Sequence, residues 1–478
     1  MARAHATRAP HSSGRPQPHL TVVGGGFAGL TAAITAAEAG ARVTLYESHH
    51  TLGGRARTAD EEYRTNEGPH ALYNGGPHWT WLKQRGLIGD LAPIPPMEGT
   101  RLRLHHHGAL RRMPPLAMLR LLRRAPEQAP VDVDFATWAG ALVGEEGARA
   151  AAHYSAVALF HHDPGSLSAR FVHTRLRRAA KLPPEAHYPV GGWGAVIDRM
   201  AAMAWNLGVR VETLARVDDV TEFADRGPVV VATSLDAARQ LLGDDTLRWE
   251  SGRTALVDVA LRTRRGDLFA LSDLDATGWV ERFTAQDRTL APAGEQLIQA
   301  QIPIGPEESK ADGVARAEYL LDLGFRDWRE RVTWRRAAVA NGRTGALDRP
   351  GTTWRDRPAV NRGEGVYLAG DQVAAPGLLS EVSFNSAIEA VTLALTSRGG
   401  FGGLGGSNDT DDTGTDTNTG AHTRTGSHTQ ADSHTQADSR AHAHAAADAK
   451  AGAAADGKDV AGRSSDGKPA PWIDLKSA

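Results

Sequence analysis

Gly24-Gly25-Gly26-Phe27-Ala28-Gly29 spaces its glycines as G-x-G-x-x-G, and Glu47 follows at a distance suited to a second strand end. Together they describe a site for a nucleotide diphosphate. Gly24 permits the sharp strand-to-helix turn, Gly26 lets a pyrophosphate approach the backbone, and Gly29 lets helix and strand pack closely. The helix start offers unpaired N–H groups and a partial positive charge to the phosphates. A carboxylate at Glu47 would accept hydrogen bonds from two ribose hydroxyls and would repel a 2′-phosphate, which argues against NADP at this turn. Shortly after come Gly53-Gly54-Arg55-Ala56-Arg57-Thr58. Here two glycines allow close backbone approach, and Arg55 can clamp a pyrophosphate as a bidentate fork.

These residues need elements to hold them. An apolar run at 20–23 predicts a buried parallel strand, an alanine-rich stretch to residue 39 predicts a helix closed by Gly40, and residues 42–46 predict a second strand. A second block begins at Tyr188-Pro189-Val190-Gly191-Gly192-Trp193-Gly194. It predicts a helix over 195–207, a strand over 209–214 followed by Val217 and Val220, a strand at 229–232 and a helix over 234–242. A third block pairs the strand-like Gly365-Val366-Tyr367-Leu368-Ala369 with Gly370-Asp371, then a helix carrying Val382, Ser383, Ser386, Ala387 and Ala390.

The three blocks, in this order, resemble the flavoprotein superfamily of phytoene dehydrogenases, flavin amine oxidases and protoporphyrinogen oxidase, over about residues 20–395. The resemblance implies FAD as cofactor, bound by Gly24, Gly26, Phe27, Ala28, Gly29, Glu47, Gly54, Arg55, Val217, Gly370, Asp371, Val382 and Ser383. In that family the arginine meets the pyrophosphate, the valine backbone meets the adenine, and the strand-end aspartate holds a ribityl hydroxyl. The family's last helix usually reads S-G-x-x-A-A; this chain has the small-residue variant Ser386-Ala387 followed by Ala390-Val391. Its N-terminus would stabilise negative charge on reduced flavin by about 0.3–1 kcal/mol.

The chain has 478 residues, a net charge of −2 and no cysteine. Near neutrality gives no general attraction to nucleic acid, and the lack of cysteine removes disulfides, zinc–thiolate sites and a cysteinyl flavin link. No run has the length of a transmembrane helix. The expected architecture is α/β: an FAD-binding Rossmann-type domain assembled from 19–90, 188–242 and 346–396, with an inserted α+β substrate domain from 91–187 and 243–345. Residues 1–18 read as a disordered leader. Residues 397–478, with a tandem SHTQAD repeat and five histidines from His422 to His444, read as a low-complexity disordered tail.

The insertions carry few chemical signals. His105-His106-His107 is read as an exposed strand or turn and not as a metal site, because neighbours on a strand face opposite ways. In Asn66-Glu67-Gly68-Pro69-His70-Ala71-Leu72-Tyr73, which resembles the family segment lining the flavin ring, His70 and Tyr73 are the candidate catalytic residues. His70 is either a proton acceptor or a packed ring with its nitrogens satisfied. The basic stretch 111–124 is either an amphipathic contact to an anionic membrane or, more plainly, a substrate-domain helix with a solvated face. The expectation is an FAD-dependent oxidoreductase moving hydride from a C–H bond of an apolar or amine substrate to flavin, cytoplasmic or peripheral to a membrane. Two rivals stand beside it: an NAD-dependent dehydrogenase using only the first turn, against which Arg55 and Gly370-Asp371 count, and a non-catalytic binding protein on the same scaffold.

Overall fold

The structure is a computed structural model and describes residues 17–59, 61–68 and 70–397, together with the backbone of residues 473 and 474. Apart from residues 17 and 18, the expected leader lies outside the described residues, as do the His-rich segment and its repeat. Among the described residues no helix is long and apolar enough to cross a membrane.

The first strand is His19–Val23, buried from Leu20 onward. It pairs in parallel with Arg42–Tyr46 on one side and with Val229–Val231 on the other. Arg210–Glu212 extends the sheet beyond Arg42–Tyr46, while Val366–Leu368 and the antiparallel edge Asn361–Gly363 extend it beyond Val229–Val231. All three sequence blocks thus contribute strands to one six-stranded sheet. The helix Phe27–Glu38 is built from Ala, Leu, Ile and Thr with almost every side chain buried, as a helix covered on several sides must be. It packs with Trp193–Asn206 and Ser380–Thr396 in the same apolar core. Strand 229–231 leads to the helix Leu235–Leu242, capped by the Ser234 hydroxyl.

A second, eight-stranded sheet is mostly antiparallel. Its centre is the long pair Ser251–Arg262 and Val332–Ala346, joined on one side by Glu295–Pro303 and on through Gly278–Arg282 and Ala270–Asp273 to Leu102–His106 and Ala109–Arg111. Ile473–Asp474 forms a two-residue parallel edge beside Arg336 and Ala337. The helix Lys310–Gly324 covers one face, burying Ala317, Leu320 and Leu321 against Val257, Ile298 and Ile302. A separate helical cluster gathers Leu116–Leu122, Phe135–Val143, Glu145–Leu159 and Ala169–Ala179 around Phe135, Leu167 and Val172. The basic stretch runs from the end of strand Ala109–Arg111 into the short helix Leu116–Leu122, whose Met118 and Leu121 are buried, while Leu116 and the preceding Met113 face solvent.

Candidate functional site

Gly24 sits at φ +106, where a side chain is strained, and a Cβ there would lie 2.7 Å from the Ala232 carbonyl oxygen. Gly29 has no room either: its Cβ would fall 1.8 Å from the Gly24 oxygen. Gly26 differs. Its φ is −76, and a Cβ would meet only the Gly53 oxygen, at 3.8 Å. Gly53 is bonded back to the turn, its N–H donating to the Gly25 oxygen (2.8 Å), and bridges Gly26. Gly26 and Gly54 therefore face an open cradle at the start of Phe27–Glu38. That helix has no side-chain cap and no acid in its first turn, leaving N–H donors for an anion.

Glu47 is buried at the end of its strand. Oε2 accepts from the Gly25 N–H (2.7 Å), and Oε1 accepts from the His49 N–H (2.9 Å) and meets the His49 ring. Burial works to raise its carboxyl, but the His49 and Gly25 hydrogen bonds outweigh this and hold it below the ordinary glutamate range. It is an acceptor at neutral pH. The Glu47 carbonyl also accepts from the Ala215 N–H (2.9 Å), which carries the chain to Val217, half-buried in a loop past Arg210–Glu212 and not in a continuing strand.

Arg55 and Asp371 meet. Nη1 lies 2.5 Å from Oδ2 and Nη2 2.8 Å from Oδ1, across 316 residues of sequence. Burial works to lower the guanidinium's pKa, but the neighbouring carboxylate more than offsets it. Gly370 is fixed by Ser386, whose hydroxyl accepts from the Gly370 N–H (2.9 Å) while lying 2.8 Å from the Val382 oxygen. Val382 and Ser383 are buried in the first turn of Ser380–Thr396. Glu381 in that turn ion-pairs with Arg178 (2.7 Å), which also bonds Glu185 (2.7 Å) and lies over the Tyr73 ring.

His70 is buried and stacked on Phe283, with ring centroids 3.6 Å apart. Its Nδ1 accepts from Asn66 (2.8 Å) and its Nε2 donates to Gln299 (3.1 Å). Burial pushes its pKa down to about 3, so the ring is neutral at physiological pH. The bonds continue both ways. Gly194 N–H donates to Thr58 Oγ1 (2.8 Å), and Thr58 donates to Asn66 Oδ1 (2.6 Å). Gln299 donates to Asp258 (2.7 Å), which Arg336 clamps from the other side. Tyr73 pairs its strand with His187 and Ala186, and burial pushes its phenol up to about 12.

The sequence reading overlooked several of these groups. Gly25 orients Glu47, and a Cβ there would sit 2.4 Å from Leu52 Cδ2; the only signal was a third glycine where the turn needs two. Thr58 and Ser386 stood in the motifs without a role of their own, and Gln299 gave no signal in its spacing. The exposed reading of the histidine triplet is corrected for His105, which is buried and bonded to Asp273 (2.9 Å). His107 leaves the strand at φ +53 and reaches Glu146 (2.7 Å), so His106, His107 and Glu146 bring three ligand atoms within 4.8 Å of one another.

Residues 22–86 match the model of the NAD(P)-binding Rossmann-like domain family. A carotenoid phi-ring synthase of Streptomyces griseus is 35% identical over 121 residues, a match that spans 23% of either chain. Among solved structures, an oxidoreductase from Methanosarcina mazei superposes with a TM-score of 0.62 at 16% identity, covering 78% of this chain and all (100%) of that one. Cyclohexylamine oxidase from Brevibacterium oxydans gives 0.60 at 18% identity, covering 80% and 100%. The chain thus carries an NAD(P)-binding Rossmann-like segment at residues 22–86 and shares the fold of these two solved structures.

Proposed function

We propose that this chain is an FAD-dependent oxidoreductase that removes hydride from a C–H bond of an apolar or amine substrate, in the manner of the phytoene dehydrogenases or the amine oxidases. The observation that carries the reading is the convergence of Arg55 and Asp371 beside the glycine turn. A dehydrogenase using the turn alone would need neither.

The residues fit the cofactor. The cradle at Gly26 and Gly54 has the space that a side chain would fill, and the uncapped helix start supplies donors for a pyrophosphate. Glu47 accepts from ribose hydroxyls. Arg55 reaches the pyrophosphate and Asp371 a ribityl hydroxyl once they exchange each other for the cofactor, with Val217 near the adenine. Bound there, a flavin would supply the two-electron chemistry, the hydride carrying both electrons from the substrate C–H bond, and an acceptor would reoxidise it. The chain's share of the chemistry is to bind, orient and exclude water. Val382 and Ser383 present a helix N-terminus, where negative charge is favoured. His70 enters as a neutral ring held on both sides, positioning the loop that follows Arg55, and Tyr73 as a neutral phenol; neither is set to accept a proton in this state.

The test is reconstitution. The purified full chain with FAD should show flavin absorption that survives gel filtration, and an anaerobic panel of amines and of apolar alkenes should bleach it with one class. Retention of NAD and refusal of FAD would favour the turn-only dehydrogenase; FAD uptake with no bleaching by any substrate would favour a binding protein. Exposed Met113 and Leu116, beside the solvent-facing Arg111 and Arg112, further suit a cytoplasmic protein that touches an anionic membrane surface. Cosedimentation with phosphatidylserine vesicles, lost in Leu116→Glu, checks this.

A further inference from the structure

His106 and His107 are consecutive, yet both rings reach Glu146. His106 ends the strand Leu102–His106, two residues after Leu104 and on the same face. His107 leaves the strand at φ +53, which sets its ring beside that of His106, with centroids 4.1 Å apart. Glu146 lies in the first turn of the helix Glu145–Leu159, four residues before Ala150 and on the same helix face. Leu104, Ala150 and Leu274 are buried in one apolar cluster. His153, further along the helix, donates from Nδ1 to the Leu274 carbonyl (2.9 Å). The apolar contact and this bond hold the helix start against the hairpin.

Glu146 Oε1 stands 2.7 Å from His107 Nε2 and 3.7 Å from His106 Nε2, and one ligand atom from each of the three residues lies within 4.8 Å of the others. Ligand atoms around a tetrahedral zinc ion, each at about 2.0–2.2 Å, stand roughly 3.3–3.6 Å apart. Shifts of about 1 Å reach that geometry, and the His107 and Glu146 side chains, 59% and 67% exposed, have the room to make them. Asp275 supplies the support behind the rings. Its Oδ1 accepts from His106 Nδ1 (3.3 Å) and from the His107 N–H (2.9 Å), and its Oδ2 from the Gly108 N–H (3.0 Å). A carboxylate on Nδ1 fixes the tautomer that leaves the Nε2 lone pair for a metal. The neighbouring group of His105, Asp273 and Asp275 differs, because Asp273 Oδ1 already accepts from His105 (2.9 Å) and from the N–H groups of Asp275 (3.0 Å) and Ala276 (3.3 Å).

We propose that His106, His107 and Glu146 bind a zinc ion that staples the hairpin 102–111 to the start of the helix Glu145–Leu159, with Asp275 as a positioning residue. This reverses the expectation that the histidine triplet is no metal site, since the alternation of a strand ends at His106. It does not depend on the flavoprotein reading. Two imidazoles and a carboxylate suit zinc and cobalt, whereas magnesium and calcium take oxygen ligands. Water completes the fourth position.

The test uses the full chain, stripped of metal by a chelator that is then removed. Cobalt(II), whose visible absorption reports a four-coordinate site, is titrated in and then displaced with zinc. One equivalent with visible bands that zinc abolishes is expected. His107→Ala and Glu146→Gln should each weaken that equivalent about tenfold or more, as loss of even a supporting partner costs about 10–100-fold. Both side chains are exposed, so neither change disturbs the core. The histidines from His422 to His444 are present in every variant, so what they bind cancels in the comparison. As a second readout, zinc should raise the urea midpoint of the wild type saturably, as a ligand of the folded state does, and should do so less in His107→Ala. Magnesium should leave the midpoint unchanged. Cobalt titrations that are the same in the wild type and in both variants overturn the proposal, and so does a zinc-induced midpoint shift equal in the wild type and His107→Ala, or one that magnesium reproduces. Each measurement is made without FAD, so its outcome is separate from that of the cofactor reconstitution.

Discussion

Gly26→Ala and Gly29→Ala are chemically identical changes three residues apart, and the structure assigns them opposite consequences. At Gly29 the new methyl would sit 1.8 Å from the Gly24 oxygen. Restoring an ordinary contact of roughly 3.2 Å requires the helix and the turn to separate by about 1.4 Å, and overpacking of this kind costs about 1–3 kcal/mol or more. Movement on that scale also takes the helix N–H groups out of hydrogen-bond range of a pyrophosphate. At Gly26 the methyl meets only the Gly53 oxygen at 3.8 Å, with φ at −76. The loss of a glycine at a helix start and the gain from a stiffer unfolded chain nearly cancel, so stability should change by less than about 0.5 kcal/mol. The methyl would nevertheless occupy the cradle. Gly29→Ala should therefore lower both the denaturant midpoint of the free protein and its FAD affinity. Gly26→Ala should leave the midpoint alone and weaken FAD by about a hundredfold, the equivalent of two charge-assisted hydrogen bonds. Urea titration without cofactor and fluorescence titration with FAD measure the two effects separately. Wild-type FAD affinity in Gly26→Ala would refute the placement of the phosphates at this cradle.

Arg55→Met and Asp371→Asn should each weaken FAD tenfold or more. In the free protein a double-mutant cycle should show a coupling of only about 1 kcal/mol, because the Arg55 side chain is 36% exposed and solvent screens the pair; additive stabilities would mean the contact contributes nothing. Ser386→Ala should cost about 1–3 kcal/mol in urea titration by leaving the Gly370 N–H without its acceptor, and a change below half a kcal/mol would count against that role. His70 has a folded pKa pushed down to about 3 from 6.5, so the unfolded chain binds the proton first. Its contribution is complete above pH 6.5 and falls by about 1.4 kcal/mol per unit below that, reaching about 2 kcal/mol lost at pH 5. His70→Gln should lose less stability between pH 7 and pH 5 than the wild type; equal losses would place the acid sensitivity elsewhere.

The glycine turn was legible because the backbone leaves it no alternative: φ +106 at Gly24 and the 1.8 Å approach at Gly29 exclude side chains. The flanking strands and helices were legible for a related reason, since a parallel strand buried on both faces must be a continuous apolar run. Val217 shows the limit. The apolar spacing suggested a strand to Leu214, but pairing stops at Glu212, where the chain turns along the Glu47 carbonyl. The Arg55–Asp371 contact was beyond reach, because a separation of 316 residues carries no distance information. The buried Arg357–Asp348 pair was equally unreadable in an arginine-rich chain, because only tertiary packing decides which arginine is buried and which carboxylate meets it. His107 broke the alternation rule by leaving the strand at φ +53.

The bonds running from Gly194 through Thr58, Asn66, His70 and Gln299 to Asp258 all donate in one direction and end on a carboxylate. They join the helix behind the nucleotide sheet to the inner strands of the second sheet. Such a series works as a key. Turning one amide over, or sliding one sheet by a residue, sets donor against donor at the next link, so only one mating of the two sheets satisfies every atom. It also makes a single proton diagnostic: the resonance of the His70 Nε2–H should appear only when the two halves have docked in register.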